Sequence, residues 1–372
     1  MRRVLVPGGR VLVSTWEDPT QYSVAMWKAL GPAAPVCGRR GVQCKPLSGA
    51  QFDAERDCGA RSGMNVSGIA SHPARLVTGL RATFESLGWI AAEVGIFQRL
   101  GLEVVFPKLE TGGPEAVAGV LRGDWDFAET GSVPYVQSML DRRDVVILLA
   151  ALEPLPTGMP VLTRPEISEA RELNGKRIGV LTDTGQVALS VRTTLEAWGV
   201  TATLVPLGTF GAIYAALTSR MIDAGALSAD YRFLGPREHG LRILETPSPG
   251  FVPVVVGCTR RLIAADRRRV ALVVQGYVEA IHFFKTRPAE VIPLLQRFLL
   301  FKDRGAVEDS YNFYSPLFQA LPRPHRDGIQ KLLLHLALKL PHATSLSLAE
   351  IVDASFLDEL ERTGFIGQLY GQ

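Results

Sequence analysis

An alternation of short apolar strands with helices of roughly ten residues limits the folds that this chain can adopt. It begins with a strand at "ARLVTGLRA" (74–82), continues with helical spacing of apolar residues in "SLGWIAAEVGIFQRL" (86–100), and returns to a strand at "LEVVFPKLE" (102–110). Strands and helices in this order form crossover units, which give a mainly parallel sheet with helices on both faces. The pattern therefore predicts an α/β fold.

The alternation occurs twice along the chain. The first run ends at the strand "VVILLAAL" (145–152), a proline-rich segment follows, and a second run extends from "KRIGVL" (176–181) to "LRILE" (241–245). After about residue 261 the sequence predicts helices only. The predicted division is lobe 1 from residues 64–155 plus 250–372, which include the C-terminal helices, lobe 2 from residues 173–245, and crossings near 153–172 and 246–254.

Residues 1–63 follow a different pattern. "VLVPGGRVLV" (4–13) has two short apolar runs around a Pro-Gly-Gly turn, which predicts a hairpin. The remainder has little apolar periodicity and many turn formers, so we interpret it as an irregular extension or linker. Residues 1–17 also resemble the late "L-x-PGG-x-L" segment of class I methyltransferases. Because no glycine-rich cofactor loop precedes them, that likeness implies no S-adenosylmethionine site.

Charge and cysteine content argue against several classes of site. The 40 basic and 37 acidic residues leave a formal charge of +3 without any Lys/Arg block, so nucleic acid is not an expected partner. Four cysteines, Cys37, Cys44, Cys58 and Cys258, form no CxxC pair. We interpret them as unpaired thiols in preference to a metal site built from the first three. The sequence therefore predicts no metal and no cofactor.

The apolar runs bear on location. The longest, such as residues 145–152, fall far short of the ~18 residues that a membrane helix needs. Pro7-Gly8-Gly9 interrupts the apolar start, so it does not resemble an export signal. As written, the sequence predicts a cytoplasmic protein. If the natural start carries a signal, the prediction becomes a periplasmic or membrane-associated extracellular protein.

Small polar residues cluster where the predicted strands end. In an open parallel sheet, ligands bind at the carboxyl ends of the strands, where loops and helix N-termini collect. Hydroxyl and free backbone N–H groups at helix starts suit an anion or a polar ligand head, although Ser, Thr and Asp there also serve as caps worth ~1 kcal/mol each. The candidate ligand-binding residues are Phe84, Glu85, Ser86, Gly112, Gly113, Thr130, Gly131 and Ser132 in lobe 1, and Thr182, Thr184, Gly185, Gln186, Thr209, Phe210, Asp230 and Tyr231 in lobe 2.

Four segments in matching order resemble a known family. They are "GWIAAEVGIFQRLGLEVVF" (88–106), "AVAGVLRGDWDFAETGSVPYVQSM" (116–139), "ELNGKRIGVLTDTG" (172–185) and "YAALTSRMIDAGAL" (214–227). They are similar to the type II periplasmic binding proteins, in the branch that binds nitrate, sulfonates, taurine and thiamine pyrimidine precursors. Arg220 stands where that family often has glycine. The resemblance covers about residues 75–290.

The resemblance implies a two-lobed, type II periplasmic-binding-protein-like fold with a helical C-terminal region. It also implies a function, as the substrate-binding protein of an ABC-type importer. The ligand would be a small anionic or heteroaromatic solute, such as a sulfonate, nitrate or a thiamine pyrimidine precursor, held between two closing lobes. The implied partners are this small molecule and an ABC permease.

An enzyme with the same fold is the alternative. Thiamine pyrimidine synthases, desulfinases and menaquinone-pathway dehydratases share this architecture, and the absence of an export signal favours a cytoplasmic enzyme of this kind. None of the six histidines follows a predicted cleft strand, so the sequence identifies no catalytic residue. The apolar stretch "QKLLLHLALKL" (330–340) is a candidate for packing on its own domain, for docking on a permease, or for oligomerisation through the C-terminal helices.

Overall fold

Strands and helices alternate along most of the chain. The structure, a computed structural model, describes residues 2–6, 9–13, 73–155 and 157–371. The strands are β1 (Arg2–Val6), β2 (Gly9–Val13), β3 (Ala74–Thr78), β4 (Val104–Lys108), β5 (Phe127–Thr130), β6 (Val145–Ala150), β7 (Val161–Thr163), β8 (Arg177–Val180), β9 (Thr203–Pro206), β10 (Ala224–Ala226), β11 (Arg242–Leu244) and β12 (Val255–Thr259). The helices are α1 (Leu87–Glu93), α2 (Ile96–Arg99), α3 (Gly113–Arg122), α4 (Ser132–Asp141), α5 (Gly185–Trp198), α6 (Phe210–Thr218), α7 (Ala229–His239), α8 (Arg260–Ala265), α9 (Arg267–Thr286), α10 (Pro288–Leu299), α11 (Arg304–Tyr314), α12 (Arg326–Ala337), α13 (Leu348–Ile351), α14 (Ser355–Arg362) and α15 (Phe365–Tyr370). Short 3₁₀ helices lie at Thr83–Glu85, Ala170–Leu173, Ser315–Leu317 and Pro341–Ser345.

The first sheet has the order β4-β3-β5-β12-β6 and forms the base of lobe 1. β3 pairs in parallel with β4 and β5, whereas β12 pairs antiparallel with both β5 and β6. The sheet is mixed because β12 enters it from the second lobe and runs against its neighbours. Every residue of β5, β6 and β12 is buried, so helices or loops cover both faces.

The second sheet has the order β11-β7-β10-β8-β9 and forms the base of lobe 2. β8 is parallel to β9 and β10, and β7 is antiparallel to β10 and β11. Two connections join the sheets, one between β6 and β7 and one between β11 and β12. The described chain thus has the predicted two-lobed α/β architecture, and it ends in the predicted helical region.

The helix predicted over 86–100 is two helices, α1 and α2. Gly95 between them has φ = 72°, a left-handed conformation that ends α1 and begins α2. Helix α9 packs against both, and a Cβ at Gly276 would lie 2.3 Å from the Phe97 ring. That glycine therefore lets α9 approach the first lobe closely, with Tyr277 edge-on to Phe97.

The C-terminal helices contact both lobes. Helix α11 packs on α7 of lobe 2, where Phe313 meets Phe233. Helix α12 packs on the second connection, where the His335 ring lies 5.4 Å from the Phe251 ring. The apolar stretch 330–340 is only partly buried, because Leu334 and Leu338 are exposed while Leu332, Leu333 and Leu336 are buried. Oligomerisation through these helices stays a prediction.

The N-terminal hairpin forms as predicted, with β1 antiparallel to β2 and Val6 opposite Gly9. It belongs to a separate unit from residues 71–372. The predicted linker and the cysteines Cys37, Cys44 and Cys58 lie outside the described residues. Cys258 is described, and it is fully buried in β12. Within the described ranges no helix combines the length and apolarity needed to span a membrane, and no group of His, Cys, Asp and Glu is arranged to hold a metal.

Candidate ligand-binding cleft

A cavity lies between the two sheets, at the carboxyl ends of their parallel strands. Its wall comes from the loops that follow β3, β5 and β8, from the start of α3, and from both connections between the lobes. The cavity volume is about 70 Å³. One ordered water needs about 10–15 Å³. The space therefore suits a small solute.

The structure separates the sequence candidates into two groups. Those in the cavity wall are Phe84, Glu85, Gly113, Thr130, Gly131, Thr182, Thr184, Gly185 and Gln186. The wall does not include Ser86, Gly112, Ser132, Thr209, Phe210, Asp230 and Tyr231. All of the second group follow the predicted strands, but their side chains contact other parts of the protein. Gly112, which has no side chain, contributes only its backbone.

The Thr130-Gly131-Ser132 turn faces three surroundings at once. Thr130 lines the cavity, is 1% exposed, and its hydroxyl has no hydrogen-bond partner within the described part of the chain. A Cβ at Gly131 would lie 2.5 Å from Gln186 Oε1, so a side chain at this position displaces the Gln186 amide. Ser132 Oγ donates to Val252 O at 2.7 Å. The turn therefore presents one free hydroxyl to the cavity, while Gly131 lies against Gln186 and Ser132 bonds to Val252.

Gln186 connects the two lobes beside the cavity. Its Nε2 donates to Pro253 O at 3.0 Å, and its Oε1 accepts from Val133 N at 3.4 Å. Gln186 lies in the first turn of α5 in lobe 2, whereas Val133 lies in the first turn of α4 in lobe 1. The structure is thus closed at this point, and the amide of Gln186 joins the starts of two helices.

Three helix N-termini, those of α3, α4 and α5, meet at the cavity. None of them is capped by its own N-cap side chain, although Gln186 accepts from Val133 N at the start of α4, whereas α6, α9 and α11 are capped by Thr209, Asp266 and Asp303. The first turn of a helix leaves backbone N–H groups without an intrahelical partner, and the helix dipole adds partial positive charge there. Acceptor atoms of a ligand would satisfy these N–H groups.

Two buried carboxyl groups lie at the lobe 1 side of the cavity. Glu85 is in the cavity wall, and its Oε2 accepts from Leu80 N at 2.6 Å. Glu129, on β5 but outside the wall, accepts at its Oε2 from Tyr277 OH at 2.9 Å and from Gly88 N at 3.3 Å. The Oε1 atoms of both have no partner among the described residues.

The burial of these carboxyls favours their neutral forms. Burial, followed by the charge of Glu129, raises the pKa of Glu85 well above its ordinary range. Burial also raises the pKa of Glu129 to about 8, against the opposing effect of the Tyr277 hydroxyl. Sequence reasoning did not single out Glu129, although an acidic residue within an otherwise apolar buried strand is the signal that identifies it.

Asp230 has its own protein partners. Its carboxylate accepts from Thr83 Oγ1 at 2.6 Å, from Thr83 N at 3.1 Å and from Ser228 Oγ at 2.8 Å, and all three residues are fully buried. Thr83 follows β3 of lobe 1, so these hydrogen bonds form a second contact between the lobes, in addition to the one made by Gln186. Tyr231 packs on Phe210 and Phe301, and Thr209 caps α6.

Sequence reasoning also missed the part of the wall that the two connections supply. Thr157, Met159, Ser248 and Phe251 line the cavity there. The proline-rich composition of the segments marked them as crossings, and any crossing between two lobes must pass the base of the cleft. That topological argument was the available signal, since these residues follow no predicted strand.

Comparisons with known proteins agree with this architecture. The family model described as NMT1/THI5 like matches residues 87–290. A structure from Bordetella bronchiseptica is 16% identical with a TM-score of 0.66, covering 81% of this chain and 98% of its own. The alkanesulfonate-binding protein SsuA of Xanthomonas axonopodis pv. citri, bound to MOPS, is 17% identical with a TM-score of 0.61 and coverages of 76% and 97%. The periplasmic aliphatic sulphonate binding protein SsuA of Escherichia coli is 14% identical with a TM-score of 0.59 and coverages of 76% and 92%. No curated protein matches the sequence significantly. At these identities the structures show the fold, which is the type II periplasmic binding fold that the sequence motifs predicted.

Proposed function

Because the chain belongs to the NMT1/THI5-like family, we propose that it binds a small solute between its two lobes, as the substrate-binding component of an ABC-type importer. The observation that carries the proposal is the convergence on one small cavity of three helix N-termini, from both lobes, none of which is capped by its own N-cap side chain. A solute with acceptor atoms would satisfy N–H groups from both lobes at once. Binding would therefore stabilise the closed arrangement.

The proposed contact residues are the sequence candidates in the cavity wall. Thr130 offers a free hydroxyl, Phe84 an apolar ring, and Gly113 and Gly185 open backbone at two helix starts. Apolar surface with a few convergent polar groups is typical of small-molecule sites. Sulfonates, nitrate and thiamine pyrimidine precursors remain the proposed ligand classes, and the names of the sulfonate-binding structural neighbours support the first of these.

Closure in this proposal depends on contacts that the ligand makes to both lobes. A ligand shifts a conformational equilibrium only by its difference in affinity for the two states. Gln186 supplies protein contacts across the cleft, to Val133 and Pro253, and the ligand adds its own. The closed form is then the form presented to a permease, on the outer side of the cytoplasmic membrane.

Thermal-shift measurements test solute binding directly. A ligand at 100 times its Kd adds about 2.7 kcal/mol to the free energy of unfolding, which corresponds to roughly 4 °C in Tm for a folded unit of this size. We expect such a shift from at least one of ethanesulfonate, taurine, nitrate and 4-aminopyrimidine. Turnover of a candidate substrate, with no shift from any of these solutes, would contradict the proposal.

A glycine pair tests whether the solute binds at the contact between the lobes. Gly131→Ala places a methyl group within 2.5 Å of Gln186 Oε1, so we expect at least a tenfold loss of affinity with an intact fold. Gly211→Ala is the matched control, because its Cβ would meet only Thr209 Oγ1, at 4.0 Å. Unchanged affinity in Gly131→Ala would place the binding site elsewhere.

A further inference from the structure

Asp230 joins the two lobes at a place outside the cavity wall. It lies in the first turn of α7 in lobe 2, and its carboxylate accepts from Thr83 Oγ1 at 2.6 Å and from Thr83 N at 3.1 Å. Ser228 Oγ, also in lobe 2, donates to the same carboxylate at 2.8 Å. All three residues are fully buried, and hydrogen bonds are stronger in such a low-dielectric interior. The backbone and the side chain of Thr83 are therefore both held by lobe 2.

Thr83 begins the 3₁₀ turn that supplies part of the cavity wall. The turn follows β3, and its next two residues, Phe84 and Glu85, line the cavity. Such a turn is a tight hydrogen-bonded unit, closed here by Glu85 N, which donates to Ala82 O at 2.9 Å. A bond that fixes Thr83 therefore also fixes the direction in which Phe84 projects. Asp230 thus acts on the wall through Thr83, although Asp230 itself is not in the wall.

Helix α11 packs at the same place, against both lobes. Its last residue, Tyr314, is 1% exposed and lies edge-on to Phe84 of lobe 1, with 5.7 Å between the ring centroids. The residue before it, Phe313, lies 6.0 Å from the ring of Phe233 in α7 of lobe 2. Separating the lobes here would break the contact of α11 with one of them, in addition to the two hydrogen bonds from Thr83.

The contact at Gln186 is weaker. Gln186 is only partly buried, and its Oε1 accepts from Val133 N at 3.4 Å. Val133 N and Thr83 N are comparable groups, because each is a backbone N–H of lobe 1 whose acceptor is a side chain of lobe 2. Water replaces an amide acceptor at the cavity edge more readily than a carboxylate acceptor in the interior. The two N–H groups therefore report separately on the two contacts between the lobes.

We propose that Asp230 is a positioning residue for the binding cleft. It keeps the turn that begins at Thr83, and with it Phe84, in place against lobe 2 while the lobes separate at Gln186. This inference rests on the proposed function, because it assigns a role in solute binding to a residue outside the cavity wall. Phe84 is in its binding position before the solute arrives, and only the Gln186 side closes over it. Preorganised groups cost less to order on binding, so loss of these bonds weakens binding.

Hydrogen exchange of the full chain, resolved to single amides and without any solute, tests where the lobes separate. After correction for intrinsic rates, we expect the Val133 amide to exchange roughly 100-fold faster than the Thr83 amide, or more. In Asp230→Ala the Thr83 amide should lose most of its protection, whereas Asp230→Asn should keep it. The asparagine oxygen accepts from Thr83 N, and its NH₂ donates to the Thr83 hydroxyl. Equal exchange of the two amides in the wild-type protein overturns the inference.

Calorimetric titration tests whether the position of the turn matters for binding. The probes are ethanesulfonate, taurine, nitrate and 4-aminopyrimidine. Thr83→Val keeps the size of the side chain but removes the hydroxyl bond to Asp230, so we expect roughly tenfold weaker binding of each probe that the wild type binds. Thr163→Val is the matched control, because Thr163 is equally buried and its hydroxyl donates at 2.7 Å to Ile167 O within lobe 2. This control and Asp230→Asn should bind like the wild type.

The outcomes separate the inference from the proposed function. Unchanged affinity in Thr83→Val, or an equal loss in Thr83→Val and Thr163→Val, overturns the positioning role while leaving solute binding intact. If none of the four probes binds the wild type, the proposed function fails and the role in binding fails with it, while the exchange rates still show whether Asp230 joins the lobes. If Asp230→Ala does not fold, the wild-type exchange ratio and Thr83→Val decide.

Discussion

Replacing Glu129 by glutamine should stabilise the protein at neutral pH and leave it almost unchanged in acid. The carboxyl is fully buried, and its pKa is raised from 4.5 to about 8. Because the folded state holds the proton more tightly than the unfolded state, stability from this group is fully present below pH 4.5. It is lost as the pH rises from 4.5 to about 8. A glutamine does not ionise, so it removes this loss.

The magnitude follows from the difference between the two pKa values. At pH 7 the solution is about 2.5 pH units above 4.5, the pKa of the unfolded carboxyl, so the unfolded group is ionised. The folded group, with a pKa of about 8, still keeps most of its proton. Each unit corresponds to about 1.36 kcal/mol, which makes the loss at pH 7 roughly 3 kcal/mol. The amide oxygen of the new glutamine side chain retains the bonds from Tyr277 OH and Gly88 N, so the substitution leaves neither donor without its acceptor.

Urea unfolding at several pH values measures this effect. The free energies of unfolding of wild type and Glu129→Gln should agree at pH 4 and diverge by a few kcal/mol at pH 7 to 8. Glu359→Gln, on the exposed face of α14, controls for the loss of one surface carboxylate. Parallel pH profiles for wild type and Glu129→Gln would contradict this prediction, because they would mean that Glu129 is ionised in the folded protein at an ordinary pKa.

Two further substitutions test packing and the contact between the lobes. Gly276→Ala places a methyl group 2.3 Å from the Phe97 ring, so we expect a loss of about 1–3 kcal/mol in the free energy of unfolding, measured by urea titration. A neutral result would show that α9 and α2 are not in close contact. Asp230→Ala leaves Thr83 N and Thr83 Oγ1 buried without an acceptor and should cost roughly 3 kcal/mol in the same assay. The exposed Asp183→Ala should cost much less, and an equal cost would contradict the buried contact.

The parts of the fold that depend on local sequence patterns could be predicted from the sequence. The alternation of apolar periods predicts strands and helices that each bury one face, and parallel crossovers follow from their order. β12 was harder to predict, because its antiparallel place between β5 and β6 depends on how the chain returns from lobe 2. The break at Gly95 was missed by the helix predicted over 86–100, because apolar periodicity continues across a glycine whose φ is positive.

The cleft was only partly predictable, because the same residue types cap helices and contact ligands. Thr130 and Thr209 both end a strand before a helix, yet Thr209 caps α6 while the Thr130 hydroxyl remains free. Asp230 also follows a strand, but Thr83 and Ser228 satisfy it. Which polar group stays unpartnered depends on contacts between distant segments, so local sequence patterns do not determine it.

The two hydrogen-bonded contacts between the lobes, at Asp230 and at Gln186, differ in strength, and this difference affects how the lobes can separate. Asp230 and Thr83 are fully buried and share two hydrogen bonds, one of them charge-assisted at 2.6 Å. Gln186 is partly buried, and its bond from Val133 N is long, at 3.4 Å. Opening at Gln186 therefore costs less than opening at Asp230, because water can replace the bonds of an amide at the cavity edge. Any motion that admits the solute should separate Gln186 from Gly131 first, while Asp230 and Thr83 stay together. A glycine at position 131 then matters for closure, because it lets Gln186 return to its close contact.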